Sequence, residues 1–174
     1  MKRAYKTEGF ILKRINFSET DRILTIFTKH YGKIKSIAKG IRQLKSRRAG
    51  SLELFNQVSL CLSAGKNFDI VTEAEVIESF ANFRQRLDWV GYAFQIVEVT
   101  DKLTAERQPN YRVFDLLKRA LASLDSAMVL KFEIRLLKEL GFGLPKDLSA
   151  AAVENFIENI IEKRLKSKNL FPIH

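Results

Sequence analysis

Cysteine is nearly missing from this sequence: Cys61 stands alone among 174 residues, so one copy of the chain can form neither an internal disulfide nor a cysteine-built zinc site. Histidine is almost as scarce. His30 falls in a turn pattern and His174 is the last residue, with no partner pattern beside either, which leaves no catalytic His pair. No glycine-rich phosphate loop, metal-spaced set of His, Asp and Glu, or nucleophile-elbow pattern occurs. No run approaches the roughly 18 apolar residues of a membrane span, and no apolar stretch follows the opening Met-Lys-Arg. The expectation from these absences is a cytoplasmic, non-enzymatic protein without metal or cofactor. Glu73, Glu75 and Glu78 are the one close acidic group. On a strand, Glu73 and Glu75 face outward, where they suit solubility or edge protection better than two-metal nuclease chemistry.

What the chain does have is positive charge, unevenly placed. The formal net charge is +10. Residues 1–50 hold 14 Lys/Arg against 3 Asp/Glu, while residues 51–174 hold 16 against 17, so the whole excess lies in the first 50 residues. Lysine and arginine beside a phosphate backbone release its condensed counterions, so this asymmetry predicts a half that faces a polyanion joined to a nearly neutral half. A hydrophobic content of 46% is ample for a buried core in each.

From Thr7 to about Glu78 the chain reads as five short strands separated by turn signals, rich in Ile, Val, Phe and Thr. Asp21–Thr28 and Lys33–Lys39 form a hairpin across His30-Tyr31-Gly32. Side chains alternate along a strand, so Ile34, Ser36 and Ala38 share one face, and Lys33, Lys35, Ile37 and Lys39 the other. Gly40–Ser51, with Arg42, Lys45, Arg47 and Arg48, is too charged to pack and reads as a mobile basic loop. Val58, Leu60 and Leu62 then alternate with polar residues before the turn Ala64-Gly65-Lys66-Asn67. In the return arm, Phe68–Ile77, the pattern puts Phe68, Ile70, Ala74 and Val76 on one face and Asp69, Glu73 and Glu75 on the other.

After Ser79 the period changes from two towards 3.6. Arg84–Thr104 is apolar nearly all round, as a central bundle helix would be. Asn110 can cap a helix carrying Val113, Phe114, Leu117 and Leu121, and Ser126 one carrying Leu130, Ile134 and Leu137 that stops at Gly141 and Gly143. Ser149 can cap a last helix with Val153, Phe156, Ile157, Ile160 and Ile161 at helical spacing. The basic run Lys163-Arg164-Leu165-Lys166-Ser167-Lys168 would complement the negative end of that helix.

These patterns predict an α+β chain of two domains. An N-terminal five-stranded oligonucleotide-binding (OB-fold) β-barrel spans residues 1–80, and an α-helical bundle domain spans 81–174. A different small barrel fits the same strand pattern. The principal phosphate-binding surface is expected at Lys33, Lys35, Lys39, Arg42, Lys45, Arg47 and Arg48, with Lys13 and Arg14 as extensions. Phe17, Tyr31 and Phe55 are candidates for base stacking, and each also fits the pattern of a core residue. Composition does not distinguish DNA from RNA, so an RNA-binding barrel protein, or an adaptor for acidic proteins, fits the charge pattern as well.

Several segments in fixed order carry a family resemblance. They are Gly9-Phe10-Ile11-Leu12, Ser18-Glu19-Thr20-Asp21-Arg22, Gly32-Lys33, Ala38-Lys39-Gly40, Arg47, Gly50-Ser51-Leu52-Glu53-Leu54-Phe55, Glu73-Ala74-Glu75, and Phe132-Glu133 with Leu136-Leu137 and Leu140-Gly141-Phe142-Gly143. Over residues 7 to 144 the chain resembles the bacterial RecO family. The resemblance implies a recombination mediator in DNA repair that binds single- and double-stranded DNA and anneals complementary strands. The implied partners are RecR, the C-terminal tail of the single-stranded-DNA-binding protein (SSB) and, indirectly, RecA, in a nucleoid-associated setting. An acidic, apolar-ended tail needs an apolar pocket beside a cation, and Lys131, Arg135 and Lys138 on one helix are candidates for that charge. Many family members carry a four-cysteine zinc element after the Leu-Gly-Phe-Gly segment. This chain has no cysteine there, and Leu165-Lys166-Ser167-Lys168 follows after one helix, the pattern of a compact form without zinc.

Overall fold

β-branched and aromatic residues in short alternating runs give five strands among the residues 3–170 that the computed structural model describes; residues 1–2 and 171–174, His174 included, lie outside them. The strands are β1 (Ala4–Phe17), β2 (Asp21–Thr28), β3 (Gly32–Ala38), β4 (Gln57–Ser63) and β5 (Asp69–Glu78). They close a barrel in the order β1-β2-β3-β5-β4. The long β1 pairs antiparallel with both β2 and β4, and a short parallel contact joins β3 to β5. This is the predicted OB-type barrel, with β1 starting three residues before the expected Thr7.

Ile11, Leu24, Ile26, Ile34, Ala38, Val58, Leu60, Leu62 and Val71 fill the interior, as alternation requires. Ile41, from the Gly40–Ser51 connection expected to be mobile, is a core member, and so is Leu52, the residue that follows that connection. Burying Leu52 alone is worth about 1.5–3 kcal/mol, enough to hold the segment down despite its charges. The predicted alternation of β5 fails for a local reason. Cys61 pairs with Glu73 and Leu62 with Val71, so Thr72 is a bulge residue. Before the bulge Asp69 and Val71 are buried and Ile70 is not, reversing the expected parity.

The chain divides into two compact units, residues 1–79 with 105–111 and residues 80–104 with 112–174. The second holds α1 (Ala81–Arg84), α2 (Leu87–Leu103), α3 (Tyr111–Ala122, entering at Arg112), α4 (Ser126–Leu140), α5 (Ala150–Ile161) and α6 (Ser167–Leu170). The single helix expected over Arg84–Thr104 is interrupted at Gln85 and Arg86, and α2 then packs against α4, α5 and α6. Asp125, not Ser126, caps α4, its carboxylate accepting from Met128 N–H at 2.6 Å. The buried stripe of α4 is accordingly Val129, Phe132, Glu133, Leu136 and Leu137, one step from the expected one except at Leu137. Ser149 caps α5 as predicted, through Ala152 N–H. The basic run beyond α5 does not cap it. It folds back, burying Leu165 and Ser167 and pairing Lys168 with Glu154 at 2.5 Å.

Candidate nucleic-acid interface

The register across β1, β2 and β3 sets what the outer barrel wall presents. Lys13 lies opposite Thr25, which lies opposite Lys35. One row along, Ile15, Ile23, Ile37 and Ile70 are aligned across four strands, and none of them is buried. Phe17 follows at the end of β1 with 45% of its surface exposed. The wall is thus an apolar ridge with lysines at its margin. Lys39, Arg42, Lys45 and Arg47 are exposed on the connection that leaves β3.

That connection is shaped by the motifs themselves. Asp21 accepts a hydrogen bond from Gly40 N–H at 2.8 Å, tying Ser-Glu-Thr-Asp-Arg to Ala-Lys-Gly, and this bond is the main cause holding its carboxyl below the usual range. Arg42 N–H donates to Thr20 O at 2.9 Å, and Asn56 Nδ2 donates to the carbonyls of Gly50 and Ser51. Arg48 donates to Val71 O at 2.6 Å and Lys39 O at 2.7 Å.

Four expected site residues are therefore placed differently. Arg48 is spent on backbone carbonyls. Lys33, at 8% exposure, is buried where residues 105–111 pack on β3, its carbonyl accepting from Arg107 N–H at 2.9 Å. Arg14 lies beyond a bulge at Leu12, visible as the register shift between Ile11 and Lys13. Its strand parity is that of the buried Leu24 and Ser36, and its guanidinium pairs with Glu53 at 2.9 Å. Phe55 is a core residue at 3% exposure with a left-handed φ of 74°, so it offers no stacking face. Tyr31 is partly exposed but packs on Tyr5, ring centroids 4.4 Å apart. Phe17 retains the open ring.

Sequence reasoning also missed the return of residues 105–111 to the barrel. Glu106 pairs with Lys35 at 2.8 Å, and this contact is the main reason its carboxyl titrates below the usual range. Arg107 reaches the buried Asp69 at 2.8 Å, and Asp69 also accepts from the Tyr5 hydroxyl. Burial first, then Asp69, pushes the Tyr5 phenol above its ordinary range. Gly32 makes the docking feasible: its φ is +67°, and a Cβ there would stand 2.4 Å from the Gln108 backbone. The signal in the sequence is slight, a Gly before a lysine at the start of β3 and a Pro-Asn within the segment.

In the helical unit, Leu116, Ala120, Met128 and Phe132 line a cavity of about 210 Å³ whose charged rim is Arg119, Lys131 and Arg135. Arg119 is paired with Asp115 at 2.7 Å. Lys131 and Arg135 thus come together beside an apolar hollow, and Lys138, one turn on, is exposed but does not line it. No described helix is long and apolar enough to cross a membrane.

A closed OB-type barrel with a basic, partly apolar outer wall, followed in the chain by a helical unit, places the protein in the class of OB-type barrel proteins. Residues 1–80 match the family model for the recombination protein O N terminal, and residues 84–159 that for the recombination protein O C terminal. The chain belongs to the RecO family. It is 35% identical over 145 residues to the DNA repair protein RecO of Roseiflexus sp. (strain RS-1), covering 80% of this chain and 51% of that one. The RecO proteins of Acetivibrio thermocellus (36% over 143 residues; 79% and 57% coverage) and Moorella thermoacetica (38% over 142; 79% and 53%) are similar in the same way. The chain spans a little over half the length of these relatives.

Proposed function

We propose that this protein is a non-enzymatic recombination mediator in DNA repair, binding single- and double-stranded DNA on the outer wall of β1–β3 and the connection after it. The observation that carries this reading is the wall itself: Lys13 and Lys35 beside the isoleucine ridge and the open ring of Phe17, continued by Lys39, Arg42, Lys45 and Arg47. Cations there hold phosphates without reading sequence, while Phe17 and the ridge take the apolar faces of bases. A surface that holds two strands screens their repulsion and raises their local concentration, which is what annealing requires. The cavity under Lys131 and Arg135 suits the acidic, apolar-ended tail of the single-stranded-DNA-binding protein. With RecR bound as well, the chain would help RecA replace that protein on gapped DNA.

Lys39→Glu/Arg47→Glu reverses two charges that hold no described side-chain bond in the fold. Fluorescence anisotropy should show weaker binding to every DNA sequence alike, with the salt slope reduced by about 1 for each lost phosphate contact. Unchanged affinity and slope would remove the reading. Equal or stronger binding to RNA without strand annealing would move the protein to RNA handling.

A further inference from the structure

The helical unit contains a second cavity, of about 350 Å³, distinct from the one under Lys131 and Arg135. Gln95 from α2, Glu133 from α4, Glu154 from α5, and Ser167 and Lys168 from α6 form its polar end. Val129, Leu130 and Ala150 give it an apolar side.

Its polar groups do not balance one another. Glu133 is 1% exposed, and the one hydrogen bond it receives among the described residues comes from Gln95 Nε2 at 2.7 Å. That same nitrogen also donates to Glu154 at 3.1 Å. The nearby ammonium does not serve Glu133, since Lys168 is held by Glu154 at 2.5 Å and Glu158 at 3.6 Å. Ser167 is 5% exposed, and its Oγ is buried on the cavity wall with no hydrogen-bond partner among the described residues. A packed bundle leaves neither a mid-helix carboxyl nor a hydroxyl in this condition without reason.

The chemistry that completes the site is cationic and rich in donors. An anion would meet two carboxylates. A bare metal ion would leave most of the volume unfilled, and among the described residues no group of three or more His, Cys, Asp or Glu could hold one. We infer that this cavity binds an organic cation, an alkylguanidinium or primary alkylammonium. Its head donates to Glu133, Glu154 and Ser167 Oγ, and its stem lies along Val129 and Leu130. Such a group satisfies the orphan hydroxyl, neutralises the surplus carboxylate and covers apolar wall at once.

The acid–base state of Glu133 agrees with this. Burial raises its carboxyl to about 7; the Gln95 bond and Lys168 oppose the rise and Glu154 adds to it. Tyr92 from α2 lines the same cavity. A bound cation favours the carboxylate, so below pH 7 binding must expel a proton. Affinity at about pH 6 should therefore be about tenfold lower than at about pH 8.

The test is titration of the full chain with agmatine, followed by calorimetry and by amide NMR shifts around α4 and α6, with butylurea as the uncharged control. Saturable agmatine binding is expected, with butylurea silent and at least tenfold loss in Glu133→Gln. Ser167→Ala, which removes a hydroxyl that holds no bond among the described residues, should weaken agmatine several-fold and serves as the second variant should Glu133→Gln fold poorly. DNA affinity should stay unchanged in both, so failure of this site and failure of the DNA reading are separable. N-acetylarginine amide distinguishes the source of the group: weaker binding than agmatine assigns a free small amine, and equal or tighter binding assigns a side chain of a partner protein. Absence of saturable binding up to on the order of 10 mM agmatine, or equal affinity in Glu133→Gln or Ser167→Ala, would overturn the inference.

Discussion

Arg47 and Arg48 are chemically identical neighbours with different fates. Arg48 donates two short hydrogen bonds to the carbonyls of Val71 and Lys39, whereas Arg47 is exposed on the loop surface. Replacing Arg48 with Met should cost about 1.5–3 kcal/mol of stability, the range for hydrogen bonds from a charged group. Arg47→Met should cost under about 0.5 kcal/mol in the same denaturant titration and instead weaken DNA binding. Glu133 gives a residue-scale prediction of another kind. Its carboxyl rises from 4.5 to about 7 on folding, so between those values the folded chain holds a proton that the unfolded chain has released. That contribution to stability is complete below about pH 4.5 and is lost as pH rises through about 7. Glu133→Gln should flatten this loss, seen as a denaturation midpoint that changes less from about pH 5 to about pH 8 than that of the unaltered chain.

At the scale of elements, residues 105–111 are held to the barrel by Lys35–Glu106, Arg107–Asp69 and the close approach of Gln108 to Gly32. Gly32→Ala combines a left-handed φ with a backbone clash, so it should destabilise the barrel by about 1–3 kcal/mol. It should also raise hydrogen exchange at Arg107 N–H, whose acceptor is Lys33 O. Protection of that amide equal to the unaltered chain's would show that the segment docks without needing the glycine. The two bulges act on the same scale. One at Leu12 takes Arg14 to Glu53, and one at Thr72 turns Asp69 inward to meet Arg107. Each moves a charge from the face that strict alternation assigns it to the opposite one.

For the whole molecule, the proposed division of labour predicts that two sets of changes separate. Lys39→Glu/Arg47→Glu should slow annealing of bare and of protein-coated complementary strands alike. Lys131→Ala/Arg135→Ala should leave bare strands unaffected and slow only those coated with the single-stranded-DNA-binding protein. A fluorescence-transfer annealing assay run in parallel on both substrates reads this directly, and an equal loss on bare strands from the second variant would refute the division. Annealing by the unaltered chain should fall steeply with added salt, because its cations act by counterion release.

What the sequence alone determined was periodic or compositional. Alternation of apolar and polar residues in Asp21–Thr28 and Lys33–Lys39 defined the first hairpin, the change of period after Ser79 defined the helical half, and the charge count located the basic excess. Such signals survive because burial of one face repeats at a fixed spacing. Tertiary structure decided what has no period. Single inserted residues at Leu12 and Thr72 reversed strand parity, and Ile41 and Leu52 drew a charged connection into the core. A distant segment brought Glu106 to Lys35, and four helices closed around Glu133. Each depends on contacts between residues far apart in the chain, whose geometry a local pattern does not encode.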